Sequence, residues 1–171
     1  MSKDPASYEV RAPRRLRRPA LFCDLAGTLV SLDQDRELPL DGAGKIRLDL
    51  LAGVAAKLRS ASRAVPIFIV TNQSAITRGR FAYSALEAAL AELNRKLGGI
   101  VSGWKVCPHR DGDGCRCRKP LAGMVLELAQ EHNLDLAAST MVGDQEVDEQ
   151  CAKAAGVGRF CYARDFFTAS G

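Results

Sequence analysis

Residues 22–30 read Phe-Cys-Asp-Leu-Ala-Gly-Thr-Leu-Val, an apolar run that meets a single carboxylate, Asp24, with a Gly-Thr turn just behind it. A carboxylate at the mouth of a buried strand forfeits hydration, so its position calls for a partner. Two other apolar runs end in the same way: AVPIFIV (64–70) runs into Thr71 of IVTNQS, and STMVGD (139–144) closes on Asp144. Further strands are expected over 19–25, 103–107 and 159–163. Helical periodicity covers 48–60, where Leu50, Leu51, Val54 and Leu58 share a face, and also 84–99, 121–133 and 146–156.

Short apolar strands alternating with helices predict an α/β domain with a mainly parallel sheet between helices. Ligands of such sheets gather at the carboxyl ends of the strands, so Asp24, Thr71 and Asp144 should line one rim. Asp24 can attack phosphorus and hold a cation, Thr71 can donate a hydrogen bond to a phosphoryl oxygen, and Asp144 can supply a second cation ligand. Asp148 stands four residues beyond Asp144 on an opening helix, near enough to assist. Lys119, in CRCRKP, can neutralise charge on a phosphoryl group in transfer. Singly, each of these residues also reads as a turn or a helix cap. Their order and common placement after strands carry the joint reading.

The 171 residues are 47% hydrophobic and 26% charged, ordinary values for one globular domain. No stretch has the length and apolarity of a membrane span or a signal peptide, so a cytoplasmic protein is expected, with no membrane partner. Residues 1–18 hold six basic side chains against two acidic ones and account for the whole net charge of +4. They read as a basic, frayed arm before a single domain over 19–171. The remaining 18 basic and 18 acidic groups balance, which speaks against a nucleic-acid platform.

Of the six cysteines, Cys23, Cys151 and Cys161 sit among apolar residues and read as small core side chains. Cys107, Cys115 and Cys117 crowd one loop with His109. Cys107-Pro-His109 and Cys115-Arg-Cys117 each place two donors on one side of extended backbone. Three thiolates and one imidazole suit closed, tetrahedral, structural zinc, and free cytosolic thiols are the plainer alternative.

DLAGT, TNQS, RKP and GDQEVD resemble, in order, the four motifs of the haloacid dehalogenase (HAD) superfamily. CPHRDGDGCRCRKP resembles its small capless branch, subfamily IIIA, which contains histidinol-phosphate phosphatase and D-glycero-D-manno-heptose 1,7-bisphosphate phosphatase. The resemblance spans residues 19–163. It implies a Rossmann-like fold without a cap and magnesium-dependent hydrolysis of a small phosphorylated substrate, such as a sugar phosphate, through an aspartyl-phosphate. Asp24 then matches the nucleophile and a magnesium ligand, the Ala26 backbone carbonyl a second ligand, and Asp144 the remaining carboxylate. Thr71 and Lys119 match groups that steady phosphoryl oxygens, while Asn72, Gln73, Ser74 and Arg118 match substrate-contacting positions. A monomer is expected.

Three departures qualify the resemblance. Position 26, an aspartate general acid/base in those phosphatases, is alanine here, and loss of such a group costs about 10²–10⁴ in rate. The readings for this are a slow phosphatase borrowing protons from Asp33 or Asp35, a phosphate-ester-binding protein without turnover, a residue placed to trap substrate, or, last, the carbon–phosphorus chemistry of phosphonoacetaldehyde hydrolase. Gln145 replaces a lysine, and SLDQDRELPL (31–40) lacks an Asp-His-Gly-Tyr segment, which makes a heptose bisphosphate a doubtful substrate. A nucleic-acid 3′-phosphatase is the remaining alternative, motivated by the basic arm.

Overall fold

The computed structural model describes residues 17–168. Most of the expected basic arm, residues 1–16, lies outside the described residues. Arg18 already belongs to the domain, bridging in parallel to Leu134, with the Asp135 N–H donating to its carbonyl at 2.8 Å.

Five strands are all parallel: β1 (Leu21–Cys23), β2 (Ile67–Asn72), β3 (Val101–Cys107), β4 (Thr140–Gly143) and β5 (Arg159–Tyr162), in the order β3-β2-β1-β4-β5. Alternation of side chains across the pleat builds two cores from one sheet. Leu21, Cys23, Ile67, Ile69 and Val142 face α1 (Val54–Ala61) and α2 (Tyr83–Leu97). Phe22, Phe68, Val70 and Met141 face α3 (Gly123–His132) and α4 (Glu146–Ala155). The expected three-layer α/β architecture is therefore present, and it is Rossmann-like. The chain moves outward from β1 through β2 to β3, then returns to the other side of β1 with β4. The order reverses between β1 and β4, and the carboxyl ends of these two strands flank the crevice where such folds bind ligands.

Several boundaries differ from the sequence reading. The helix expected over 48–60 starts at Val54, because the preceding leucines are engaged elsewhere. Leu50 bridges Val30, the Ser31 N–H donates to Asp49, and Gly53 turns the chain at φ 79°. β2 starts after Pro66, which has no N–H to give a neighbour, and runs through Thr71 and Asn72 rather than ending at 70. β3 begins at Val101, two residues early. A short α5 (Ala163–Thr168) follows β5 and has no counterpart in the expected elements.

Candidate phosphoryl-transfer site

Asp24 directly follows β1, and its N–H is tied to the Val142 carbonyl of β4 at 2.9 Å. Asp144 follows β4. Ligand oxygens of Asp24, Asp144 and Asp148 all lie within 4.8 Å of one another, against about 4.2 Å between opposite ligands of one magnesium ion. Lys119 reaches into the cluster from the loop before α3. Its Nζ donates to Asp24 Oδ1 at 2.5 Å, Asp148 Oδ1 at 2.6 Å and the Val70 carbonyl at 3.1 Å. Asp148 Oδ2 also accepts the Gln145 N–H at 3.1 Å, capping α4. Thr28 donates to Asp144 Oδ1 at 3.2 Å.

Close approach makes this possible. Gly27, at φ 83°, passes so near Asp144 that a β-carbon there would stand 2.7 Å from its Oδ2, and a β-carbon on Gly143 would collide with Asp148. Burial pushes the Asp24 carboxyl up to about 6, with Asp148 and Asp144 adding to the effect and Lys119 opposing it. Burial alone would depress Lys119, but Asp24 and Asp148 outweigh it and hold the ammonium at about 12. Asp144 is raised by burial and by Asp148. Three carboxylates around one ammonium leave an excess of negative charge, which a divalent cation bound among them would offset.

The TNQS segment serves this arrangement in different ways. The Asn72 carboxamide donates to the Lys119 carbonyl and accepts the Lys119 N–H, each at 3.0 Å, across 47 residues of sequence. Gln73 is buried, and its side chain donates to Thr71 Oγ1 at 3.0 Å. Thr71 is fully buried beneath the cavity and does not line it. Ser74 lines the cavity with its hydroxyl unpaired among the described residues. Arg118 lines it too, fastened by Asp111 at 2.6 Å and by the His109 carbonyl at 3.0 Å.

The four donors of Cys107, His109, Cys115 and Cys117 also lie within 4.8 Å of one another. Cys107 and Cys115 sulfurs are 3.8 Å apart, and His109 Nδ1 stands 3.5 Å from Cys107 and 3.3 Å from Cys117. Edges of a tetrahedron around zinc are about 3.8 Å between sulfurs and about 3.5 Å between sulfur and nitrogen. The donor set and its spacing fit such an ion. Burial pushes the Cys107 thiol up to about 12, a cost that coordination as thiolate by a divalent cation offsets.

Comparison with known proteins decides the family. Residues 116–170 match the HAD-hydrolase-like family. D-glycero-β-D-manno-heptose 1,7-bisphosphate 7-phosphatase of Rhodopseudomonas palustris is 35% identical over 159 residues, 84% of this chain and 83% of that protein. The chain belongs to the HAD superfamily. It falls in subfamily IIIA, whose members are phosphoric monoester hydrolases. The relative of the same name from Bordetella bronchiseptica is 42% identical over 93 residues, 53% of this chain and 52% of its own length. The crystal structure of D,D-heptose 1,7-bisphosphate phosphatase from B. bronchiseptica, complexed with magnesium and phosphate, shares the fold with a TM-score of 0.72. It is 30% identical, covering 82% of this chain and 78% of that one.

In this HAD chain the crevice opens as a cavity of about 440 Å³ whose wall includes Asp24, Ala26, Asn72, Gln73, Ser74, Arg118, Lys119 and Asp148. Asp35, already considered as a proton source, also lines the wall, as do Arg36, Glu37, Arg78 and Asp111, which the sequence motifs passed over. Arg78 and Arg80 both pair with Glu37, and Arg80 also holds Asp33 at 2.6 Å. The signal for this was present in Asp33-Gln-Asp-Arg-Glu37, an aspartate opening a polar turn, facing Arg78 and Arg80 of TRGR.

Proposed function

We propose that the chain hydrolyses a small phosphate monoester, of the sugar-phosphate class that its relatives' names describe, through an aspartyl-phosphate on Asp24. The observation that carries this reading is the Lys119 ammonium held between Asp24 and Asp148 with Asp144 alongside, at the carboxyl edge of β1 and β4. Asp24, Asp144 and the Ala26 carbonyl are the groups to hold magnesium. Magnesium so bound supplies charge neutralisation for the transferring phosphoryl group. The arrangement Cys107, His109, Cys115 and Cys117 holds structural zinc and stiffens the loop that delivers Arg118 and Lys119.

Asp24 attacks phosphorus as the bond to the leaving oxygen breaks. Lys119 accompanies the charge on the phosphoryl oxygens. Thr71 is buried outside the cavity wall and accepts from the Gln73 side chain, which does line the cavity, so its part is to position Gln73 rather than to meet the phosphoryl group itself. Water then hydrolyses the acyl phosphate and frees Asp24. The Ala26 methyl cannot donate or accept the proton that these two steps require, so turnover is slow. Asp33 is a poor substitute, because its oxygens are occupied by the Asp35 and Glu37 N–H groups and by Arg80. Asp35 lines the cavity with its carboxylate uncommitted among the described residues, and it is the group of this loop able to trade protons with the leaving group.

Phosphate release across sugar phosphates, nucleotides and histidinol phosphate, measured on this chain and on Ala26→Asp together, tests the reading. Magnesium-dependent release that rises in the variant supports it, and no release from either protein contradicts it. Ala26 also favours a second reading, a protein that binds phosphate esters without turning them over. Ester binding with no phosphoenzyme in a single turnover would establish that instead.

A further inference from the structure

We propose that Arg36 sets the specificity of this chain by gripping a second anionic group, phosphate or carboxylate, that the substrate carries beyond the phosphoryl group in transfer. The proposal rests on the phosphatase reading above and deepens it. Four cations line the cavity, and three are already held: Lys119 by Asp24 and Asp148, Arg78 by Glu37, and Arg118 by Asp111. Among the described residues, Arg36 is the one cation of the wall with no anion on it. A guanidinium in this state offers a planar fork of donors that matches phosphate or carboxylate oxygens two at a time.

The backbone supplies a second, independent observation. Arg36 has φ 60°, in the left-handed region that residues with a β-carbon seldom adopt. Asp33 Oδ1 holds the turn by accepting the N–H groups of Asp35 at 3.0 Å and Glu37 at 2.9 Å. The Arg36 N–H donates to the Asp33 carbonyl at 3.0 Å, and the Asp33 N–H to the Glu37 carbonyl at 2.9 Å. Arg80 fastens both ends of the turn through Asp33 and Glu37.

Eight residues later the chain builds the same turn again. Asp41 Oδ1 accepts the N–H groups of Ala43 and Lys45, each at 2.9 Å. The fourth residue of that turn donates to the Asp41 carbonyl, and the Asp41 N–H to the Lys45 carbonyl, both at 2.9 Å. That fourth residue is Gly44, at φ 76°, and it is not part of the cavity wall. The same backbone problem is thus solved by glycine away from the site and by arginine beside it. An arginine standing where glycine would relieve the backbone, exposed in the cavity wall and with no anion on it among the described residues, is placed for a ligand.

The test compares glucose-6-phosphate, which has one anionic group, with glucose-1,6-bisphosphate and 6-phosphogluconate, which add a phosphate or a carboxylate. Dissociation constants are measured calorimetrically in magnesium, and KM is measured where turnover occurs, for the unaltered chain, Arg36→Gly and Arg36→Lys. Arg36→Gly installs the chain's own solution from the twin turn and therefore folds. The unaltered chain should prefer at least one doubly anionic probe by about tenfold or more. Arg36→Gly should erase that preference with a much smaller effect on glucose-6-phosphate, its melting temperature should not fall, and Arg36→Lys should restore part of the preference. Binding of glucose-6-phosphate with no preference for either second anion, or a preference that survives Arg36→Gly, overturns the role of Arg36 and leaves the phosphatase reading intact. Failure of all three probes to bind overturns both.

Discussion

Asn72 and Lys119 are joined by a reciprocal pair of hydrogen bonds, the carboxamide of one closing on the backbone N–H and carbonyl of the other at 3.0 Å each. This clamp fixes where the Lys119 ammonium enters the carboxylate cluster. In the proposed reaction Asn72 would act on the phosphoryl group through Lys119. Asn72→Ala leaves two part-buried backbone groups without partners and should cost about 1–3 kcal/mol of stability. A displaced Lys119 should lower kcat by about ten- to a hundredfold, with a smaller change in KM. Denaturant unfolding and steady-state kinetics check this, and unchanged kcat would count against the clamp.

Restoring an acid at position 26 should speed turnover. Ala26→Asp returns a proton donor and acceptor to the cavity wall and should raise hydrolysis of an alkyl phosphate by at least about tenfold. No gain in initial rate would mean that the motif around Asp24 is not aligned as proposed.

Asp35 should matter only where a leaving group needs its proton. Asp35→Asn should slow alkyl phosphate hydrolysis by about tenfold or more while sparing an aryl phosphate with a stable leaving anion. In the Ala26→Asp background that sensitivity should disappear. Equal effects on both esters would remove Asp35 from the proton path.

The cysteine loop should carry about one equivalent of zinc in the purified protein. Elemental analysis measures it, and Cys115→Ser should lower both the zinc content and the thermal midpoint. A zinc-free preparation with an ordered loop and an unchanged midpoint would refute the assignment.

Acid should weaken the turn beneath Arg36. Asp33 is held below the ordinary carboxylate range by the Glu37 N–H first, with the Arg80 guanidinium and the Asp35 N–H adding to it. Its folded-state pKa lies below its unfolded one, so its contribution to stability is full above the unfolded value, near about 4, and fades as pH falls through the folded value. Asp33→Asn should flatten the acid limb of the stability curve, measured by denaturant unfolding across pH. An unchanged acid limb would show that the turn does not depend on that charge.

The parts of this architecture that were legible in the sequence are those set by local pattern. Apolar runs ending on Asp24, Thr71 and Asp144 marked the carboxyl rim, and Cys-x-His with Cys-x-Cys marked a cluster of four donors. Other parts depend on distant partners. RKP by itself reads as a basic loop before a helix, and although Lys119 is expected to meet phosphoryl charge, its burial to 4% exposure depends on carboxylates from two other segments. Leu50 and Leu51 carry helical spacing but pair with residues 29–30 instead. At six residues, α5 is too short for a periodic signal. The twin turns at 33–37 and 41–45 share a hydrogen-bond pattern that becomes visible only once the backbone is folded.

Phosphorylation of Asp24 is read by rapid acid quench with a radiolabelled phosphate ester, followed by peptide mapping. Base-labile label is expected on the peptide containing Asp24, dependent on magnesium and absent from Asp24→Asn. Phosphate release with no labelled protein, or label that persists in Asp24→Asn, would contradict it.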